Sequence, residues 1–316
     1  MKTVRASDQP HGKLSERLPW ASAATLAAAL TFGFILLHRE NPLPAGARFT
    51  VDTPGNGSLP LFGRPTVSPD GQSVLFAVAD AASHNPVWYL YNLASRPSKS
   101  VPGTEHTTAV YWSFDSRSIL LSRSNVFWRM DLNAGSPQRL PVVGAYSSWQ
   151  PEGIVAGGRQ GLRWFRPDGS GVRWIKRGDE TDGKAYSYPS LIPGGRWLVY
   201  NIAESDSFSV RFASLDGKVD RELLKTEHPA IYTGPGYLLS RRGDMLTAQP
   251  VDPKSGELRG ASIPIAGPIG TAAGTIDLLG SFSSSDNCVL VFRSDAREAP
   301  NSFTVIVNWP SLLKKK

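Results

Sequence analysis

Beyond residue 60 the hydrophobic and polar positions follow one grammar, used over and over. A short, partly alternating stretch runs into a turn, and a run of apolar, β-branched and aromatic residues leaves it. The first copy is Arg64-Pro-Thr-Val-Ser-Pro-Asp-Gly-Gln-Ser-Val-Leu-Phe76. Pro69 presets φ at the turn's second position, and Gly71 permits the positive φ that follows. Further copies run from Tyr111 to Leu121, Ser148 to Val155, Tyr188 to Tyr200, Ile231 to Leu239 and Ser281 to Phe292. A second unit recurs between them, as in Val87-Trp-Tyr-Leu-Tyr-Asn-Leu93, Val126-Phe-Trp-Arg-Met-Asp-Leu132 and Ser209-Val-Arg-Phe-Ala-Ser-Leu-Asp-Gly217. A shorter stretch then follows, such as Gln138 to Pro141 or Arg221 to Leu224.

Each repeat thus predicts four strands, and successive turns lie about 36 to 51 residues apart, the spacing of propeller blades. No stretch after Leu37 shows helical periodicity beyond about a turn and a half. The expected fold is all-β: one β-propeller over residues 61–316, with six four-stranded blades. The sixth repeat is one strand short, ending in Phe303-Thr-Val-Ile-Val-Asn-Trp309. A spare strand, Arg48 to Val51, lies in the Pro- and Gly-rich segment 38–60 and is expected to complete that blade. Closure by both termini would remove an open edge. An incomplete ring is the alternative.

The N-terminus is patterned differently. Leu18 to Leu37 carries no charge, and about twenty helical residues span about 30 Å, the thickness of a bilayer's hydrocarbon core. Lys2, Arg5, Lys13 and Arg17 precede it, whereas only His38, Arg39 and Glu40 follow directly. The positive-inside rule then predicts a cytoplasmic tail (1–17), a transmembrane helix (18–37) and the remainder outside. A cleaved signal peptide is the rival; its apolar core would be shorter, and the Ala45-Gly46-Ala47 triplet lies past two charges.

Composition narrows the classes. With 41% hydrophobic residues among 316, the chain can bury a core. One cysteine, Cys288, excludes an intramolecular disulfide and any multi-cysteine zinc site. The net charge of +7 is locally concentrated: Arg159, Arg163, Arg166, Arg173, Lys176 and Arg177 interleave with Trp164 and Trp174. In strands this alternation predicts one wet and one packed face, and no nucleic-acid partner is inferred.

Candidate chemistry is sparse. Gly178-Asp-Glu-Thr-Asp-Gly-Lys184 has phosphate-loop spacing, but Ala185 stands where Ser or Thr is needed and three acids would repel phosphate. An inter-blade loop is expected there. The histidines His11, His38, His84, His106 and His228 are scattered, and no Gly-x-Ser-x-Gly occurs. No metal, cofactor or catalytic residue is assigned, and the chain is expected not to be an enzyme. Asp70, Asp115 and Asp286 are read as turn-forming.

The Pro-Asp-Gly turn followed by Val-Leu-Phe resembles the WD40-like repeats of TolB-type propellers. Three stretches narrow the likeness: Arg48 to Phe76, Pro235 to Asp252, and Thr304 to Lys316. With the apolar span, they resemble the extracytoplasmic region of bacterial membrane-bound serine/threonine kinases. No Gly-rich kinase loop, His-Arg-Asp or Asp-Phe-Gly is present, so phosphoryl transfer is not carried over. The resemblance implies a single-pass inner-membrane protein displaying its propeller in the periplasm to bind a protein or small ligand, as sensor or scaffold. The alternatives are an accessory subunit of a separately encoded kinase, packing through the small residues of its span, or a non-functional remnant of such a receptor. Arg64, Trp112, Trp149 and Tyr188, read as loop residues at the faces of the ring, are the candidate ligand or partner face, with a packing role as the alternative for each.

Overall fold

The structure is a computed structural model that describes residues 46–60, 63–79, 86–95, 97–133, 135–234, 236–269, 282–285, 289–293 and 301–314. The expected transmembrane segment and the cytoplasmic tail lie outside these residues. Among the described residues no helix is long and apolar enough to cross a membrane.

Strand β1 (Arg48–Asp52) precedes a ring of six antiparallel sheets of four strands each. Blade 1 comprises β2 (Thr66–Val67), β3 (Ser73–Ala79), β4 (Pro86–Asn92) and β5 (Ser98–Ser100). Blade 2 runs through β6 (Ala109–Trp112), β7 (Ser118–Arg123), β8 (Val126–Asp131) and β9 (Gln138–Val143). Blade 3 holds β10 (Tyr146–Gln150), β11 (Gly153–Gly158), β12 (Gly161–Phe165) and β13 (Arg173–Arg177). Blade 4 holds β14 (Ala185–Leu191), β15 (Trp197–Ala203), β16 (Phe208–Ser214) and β17 (Asp220–Thr226). Blade 5 holds β18 (Ala230–Thr233), β19 (Tyr237–Arg242), β20 (Met245–Pro250) and β21 (Ile263–Ala266). Blade 6 is β22 (Phe282–Ser284), β23 (Leu290–Arg293) and β24 (Ser302–Ile306), completed by β1. The spare N-terminal strand therefore does close the ring, pairing Arg48 with Ile306 through to Asp52 with Ser302. A short 3-10 helix, Trp309–Lys314, follows; the helical turns fall below what sequence periodicity can register.

The second strand of each blade explains why the ring holds. Its apolar residues are continuous because both faces are buried. Alternation then sends neighbours to opposite seams. In β3, Val74, Phe76 and Val78 pack at the seam with blade 6, while Leu75 and Ala77 pack at the seam with blade 2. In β7, Ile119 and Leu121 face blade 1, and Leu120 faces blade 3. The same parity divides Val155 from Ile154, Val199 from Leu198, Leu238 from Leu239, and Val291 from Leu290. The result is six core clusters, one per seam, rather than one central core.

A belt of hydrogen bonds crosses the same six seams nearer the axis. Trp112 Nε1 donates to the Thr66 carbonyl (3.0 Å), and Tyr111 Oη to the Ala145 carbonyl (2.7 Å). Leu191 N donates to Ser148 Oγ (3.0 Å), while Asn201 both donates to and accepts from the Ala230 backbone (2.9 and 2.8 Å). Thr233 Oγ1 donates to Ser284 Oγ (3.0 Å), and Val67 N to Ser283 Oγ (2.9 Å). Blades also approach closely enough to demand glycine: a Cβ on Gly157 would lie 2.4 Å from the Tyr186 carbonyl oxygen of blade 4.

The turn aspartates act as read from sequence. Asp70 Oδ1 accepts from Ser68 Oγ (2.5 Å) and Gln72 N (3.0 Å), with Gly71 at φ 70°. Asp115 repeats this with Ser113 Oγ (2.6 Å) and Arg117 N (3.1 Å). Asp286 and Cys288 lie outside the described residues.

Candidate functional site

The first strands of the six blades, β2, β6, β10, β14, β18 and β22, surround the axis. They enclose a cavity of about 160 Å³ to which every blade contributes. Arg64, Trp112, Trp149 and Tyr188 all line it. Sequence reasoning did not name Tyr111, Ser147, Gln150 or Tyr232, which also line it. The repeat register could have found them, since each neighbours a named residue or takes the equivalent place in another blade.

Tyr188 reaches the axis through an irregularity in β14. The pairing with β15 shifts register between Ser187 and Ser190, and Tyr188 sits in that bulge at φ 47°. A bulky side chain in left-handed backbone is uncommon, and bulges re-aim side chains. The Tyr188 ring lies 4.5 Å from that of Tyr146 in blade 3, tilted by 53°. Arg64, just before β2, lies over the same ring at 5.4 Å, a cation–π distance. Burial pushes the Tyr111 phenol well above its ordinary pKa, with the Arg64 guanidinium pulling weakly the other way.

The polar groups of this cavity are unevenly matched. Trp112 Nε1 and Ser148 Oγ are spent on the seams. Arg64 Nη1, Ser147 Oγ and Trp149 Nε1 are buried, and none has a hydrogen-bond partner. Among the described lining residues Arg64 carries the only formal charge.

A second polar centre lies between blades 3 and 4, beside a cavity of about 170 Å³ lined by Leu162, Ile175, Tyr200 and Ala213 among others. Here Asp220 Oδ1 accepts from Arg211 Nε (2.7 Å) and Tyr200 Oη (2.8 Å), and Oδ2 pairs with Lys176 Nζ. Burial raises the Asp220 pKa, but the bonds from Lys176, Arg211 and Tyr200 outweigh it and hold the carboxyl below its ordinary value. Lys176 joins this centre across the seam, whereas Arg211 and Tyr200 meet Asp220 within blade 4.

The basic run lies on the β12–β13 hairpin of blade 3, and one expectation about it is corrected. Trp164 packs on the seam with blade 4, but Trp174 does not join a core. It is held between Arg163 (4.2 Å) and Arg177 (4.7 Å), while Arg173 covers Trp164 (4.8 Å). Both strands alternate Arg with Trp, and their register sets Arg163 opposite Trp174 and Trp164 opposite Arg173. Trp174 therefore meets two arginines and Trp164 one. The 178–184 segment with phosphate-loop spacing joins β13 to β14, and Asp179 Oδ1 is occupied by Thr181 Oγ1 (2.6 Å).

Among the described residues no three His, Cys, Asp or Glu side chains are grouped to hold a metal ion. His106 sits in a turn at φ 58°, and His228 has its pKa lowered by burial, then by the nearby Arg241.

No protein-family model matches the sequence, and no curated protein matches it. Solved structures do match in fold. TolB from Acinetobacter baumannii is similar at a TM-score of 0.51 and 14% identity, over 79% of this chain and 70% of that one. A protein of unknown function from Bacteroides thetaiotaomicron reaches 0.52 at 11% identity, over 83% and 76%. An oligogalacturonate lyase from Vibrio parahaemolyticus gives 0.48 at 14%, over 83% and 97%. At these identities the likeness is one of architecture: the chain folds as a six-bladed, TolB-like β-propeller.

Proposed function

We propose that the protein is a binding module, anchored in the bacterial inner membrane through residues 18–37, that presents the axial mouth of its propeller to the periplasm as a sensor or scaffold. One observation carries the binding reading: all six blades converge on a single cavity whose walls hold three buried polar atoms unused by the fold. Buried polar groups are ordinarily satisfied, so unmatched ones gathered at one place favour a site completed from outside. The charge asymmetry around the apolar span supports the orientation.

The test uses the full chain in living cells of a Gram-negative bacterium. A photoreactive phenylalanine analogue replaces Tyr232 at the axis or Val172, which is 47% exposed, on the outer loop of blade 3. In parallel, Val172→Cys is probed with a membrane-impermeant maleimide in a Cys288→Ser background. The expected result is a discrete adduct from the axial position only, and maleimide labelling once the outer membrane alone is permeabilised. Equal adducts from both positions, or none, would sink the binding reading. Labelling only after the inner membrane is lysed would sink the orientation.

A further inference from the structure

We infer that the axial cavity takes a small organic monocarboxylate with a planar or ring body, and that Arg64 is its counter-charge. This rests on the axial mouth being a binding site and names what it binds.

A guanidinium and an indole can donate hydrogen bonds but cannot accept them. Arg64 Nη1 and Trp149 Nε1 are buried without an acceptor. Ser147, on the same strand two residues before Trp149, faces the same side of β10, and its hydroxyl is also unpartnered. Ser147 and Trp149 are themselves more than nine-tenths buried, at 8% and 6% exposure. Each of these atoms lies just beneath the accessible cavity surface, so a ligand that completes the set must bring acceptor oxygens and shift a side chain to reach them.

Charge selects among acceptors. Arg64 supplies one positive charge, and no carboxylate stands among the described lining residues. Asp70, in the turn after β2, is engaged by Ser68 and Gln72. A monoanion balances the site, whereas a doubly charged phosphate would leave one charge buried and unmatched. A carboxylate also fits the flat fork of a guanidinium.

The walls select the body. Trp112, Trp149, Tyr188 and Tyr232 present aromatic surface, with Val67 and Ile231 between them. The open surface between these rings is more polar than apolar, which favours a flat group with polar edges. Tyr188, set in left-handed backbone at its bulge, keeps Arg64 stacked and so pre-orients the fork.

The test is isothermal titration of the detergent-purified full chain with benzoate, benzamide and inorganic phosphate. Benzamide keeps the ring and shape of benzoate but loses its charge. Benzoate is expected to bind at least about tenfold more tightly than either control, the worth of a charge-assisted hydrogen bond. Arg64→Gln is expected to lose about tenfold or more for benzoate and nothing for benzamide. Arg64→Lys, which keeps the charge but not the fork, should fall between, and Trp149→Phe should weaken benzoate alone. Circular dichroism melts of each variant distinguish lost binding from lost folding. Equal affinity for benzoate and benzamide, phosphate binding as tight as benzoate, or a folded Arg64→Gln that binds benzoate like the parent would each overturn the inference. No benzoate binding by a folded parent would also overturn it, leaving the unmatched donors to water. If the axial photo-adduct persists in that case, the binding module stands and only its ligand class falls.

Discussion

Arg211 and Arg64 are both part-buried arginines beside tyrosines, at opposite radii of one ring. Arg211 is answered by a carboxylate: its Nε bonds Asp220 Oδ1 and its Nη2 the Asp220 carbonyl, while Oδ2 takes Lys176. Arg64 is answered by a tyrosine face, and one of its nitrogens is buried and unpaired. The charge of Arg211 is matched by a carboxylate that also ties blade 4 to Lys176 of blade 3. A lone charge among unclosed donors serves no seam. What distinguishes a structural arginine from a binding one here is the accounting of its hydrogen bonds, since burial and neighbouring rings are alike.

The largest expected effect tests the closed side. Asp220→Ala would leave Lys176 and Arg211 facing each other across the seam and strip the Tyr200 hydroxyl of its acceptor. Removing one partner of a part-buried network costs more than the network contributes, here roughly 1–3 kcal/mol after screening by solvent. Urea denaturation at neutral pH measures it. Asp220→Asn, which keeps an acceptor, should lose about half as much. A loss below about 0.5 kcal/mol for Asp220→Ala would mean the network is ornament.

A smaller effect follows from acid. The folded Asp220 carboxyl titrates below its ordinary value. A depressed carboxyl contributes stability above its unfolded pKa, about 3.9, and loses that contribution as pH falls through the folded value. Asp115 and Asp216 are also lowered, so acid weakens the ring at several turns. The share due to Asp220 is the gap between parent and Asp220→Asn. That gap should be constant from about pH 5 to 7 and close below about pH 4. A gap unchanged at pH 3 would place the contribution of Asp220 elsewhere than in its charge.

These two centres also differ in how far the sequence reveals them. Turn grammar is local, so Pro69, Asp70 and Gly71 announce blade 1 within a few residues. The closing strand was legible because repeat six lacks one strand and Arg48 to Val51 has one to give. The named axial residues follow from repeat register alone. Seam chemistry is not local: Lys176 and Asp220 are 44 positions apart, and nothing near either marks the other. The contact between Tyr188 and Arg64 is hidden because it arises from a register shift. The bulge that turns Tyr188 toward Arg64 lies in a stretch that reads as an ordinary strand around Pro189. Likewise Trp174 reads as a packed residue until the pairing of β12 with β13 sets it opposite Arg163.

The smallest effect separates adjacent residues and tests the accounting most directly. Ser147 and Ser148 are neighbours on β10, chemically identical, and both line the axis. Ser148 Oγ accepts the Leu191 amide across the blade 3–4 seam, whereas Ser147 Oγ is buried with no partner. Replacing Ser148 by Ala leaves a backbone N–H without its acceptor, which should cost about 1 kcal/mol and lower Tm by about 2 °C in a chain of this size. Replacing Ser147 by Ala removes a hydroxyl that was desolvated for nothing in return. Its stability should be unchanged or raised by up to about 1 kcal/mol. A stabilising Ser147→Ala would mean that the fold carries this hydroxyl at a cost, as sites shaped for a ligand do. If that variant also binds benzoate more weakly than the parent, the cost and the use of Ser147 are the same atom. An equal loss of stability in both serine variants would show instead that Ser147 serves the seam as Ser148 does, and the distinction between a closed periphery and an open axis would narrow to Arg64 and Trp149.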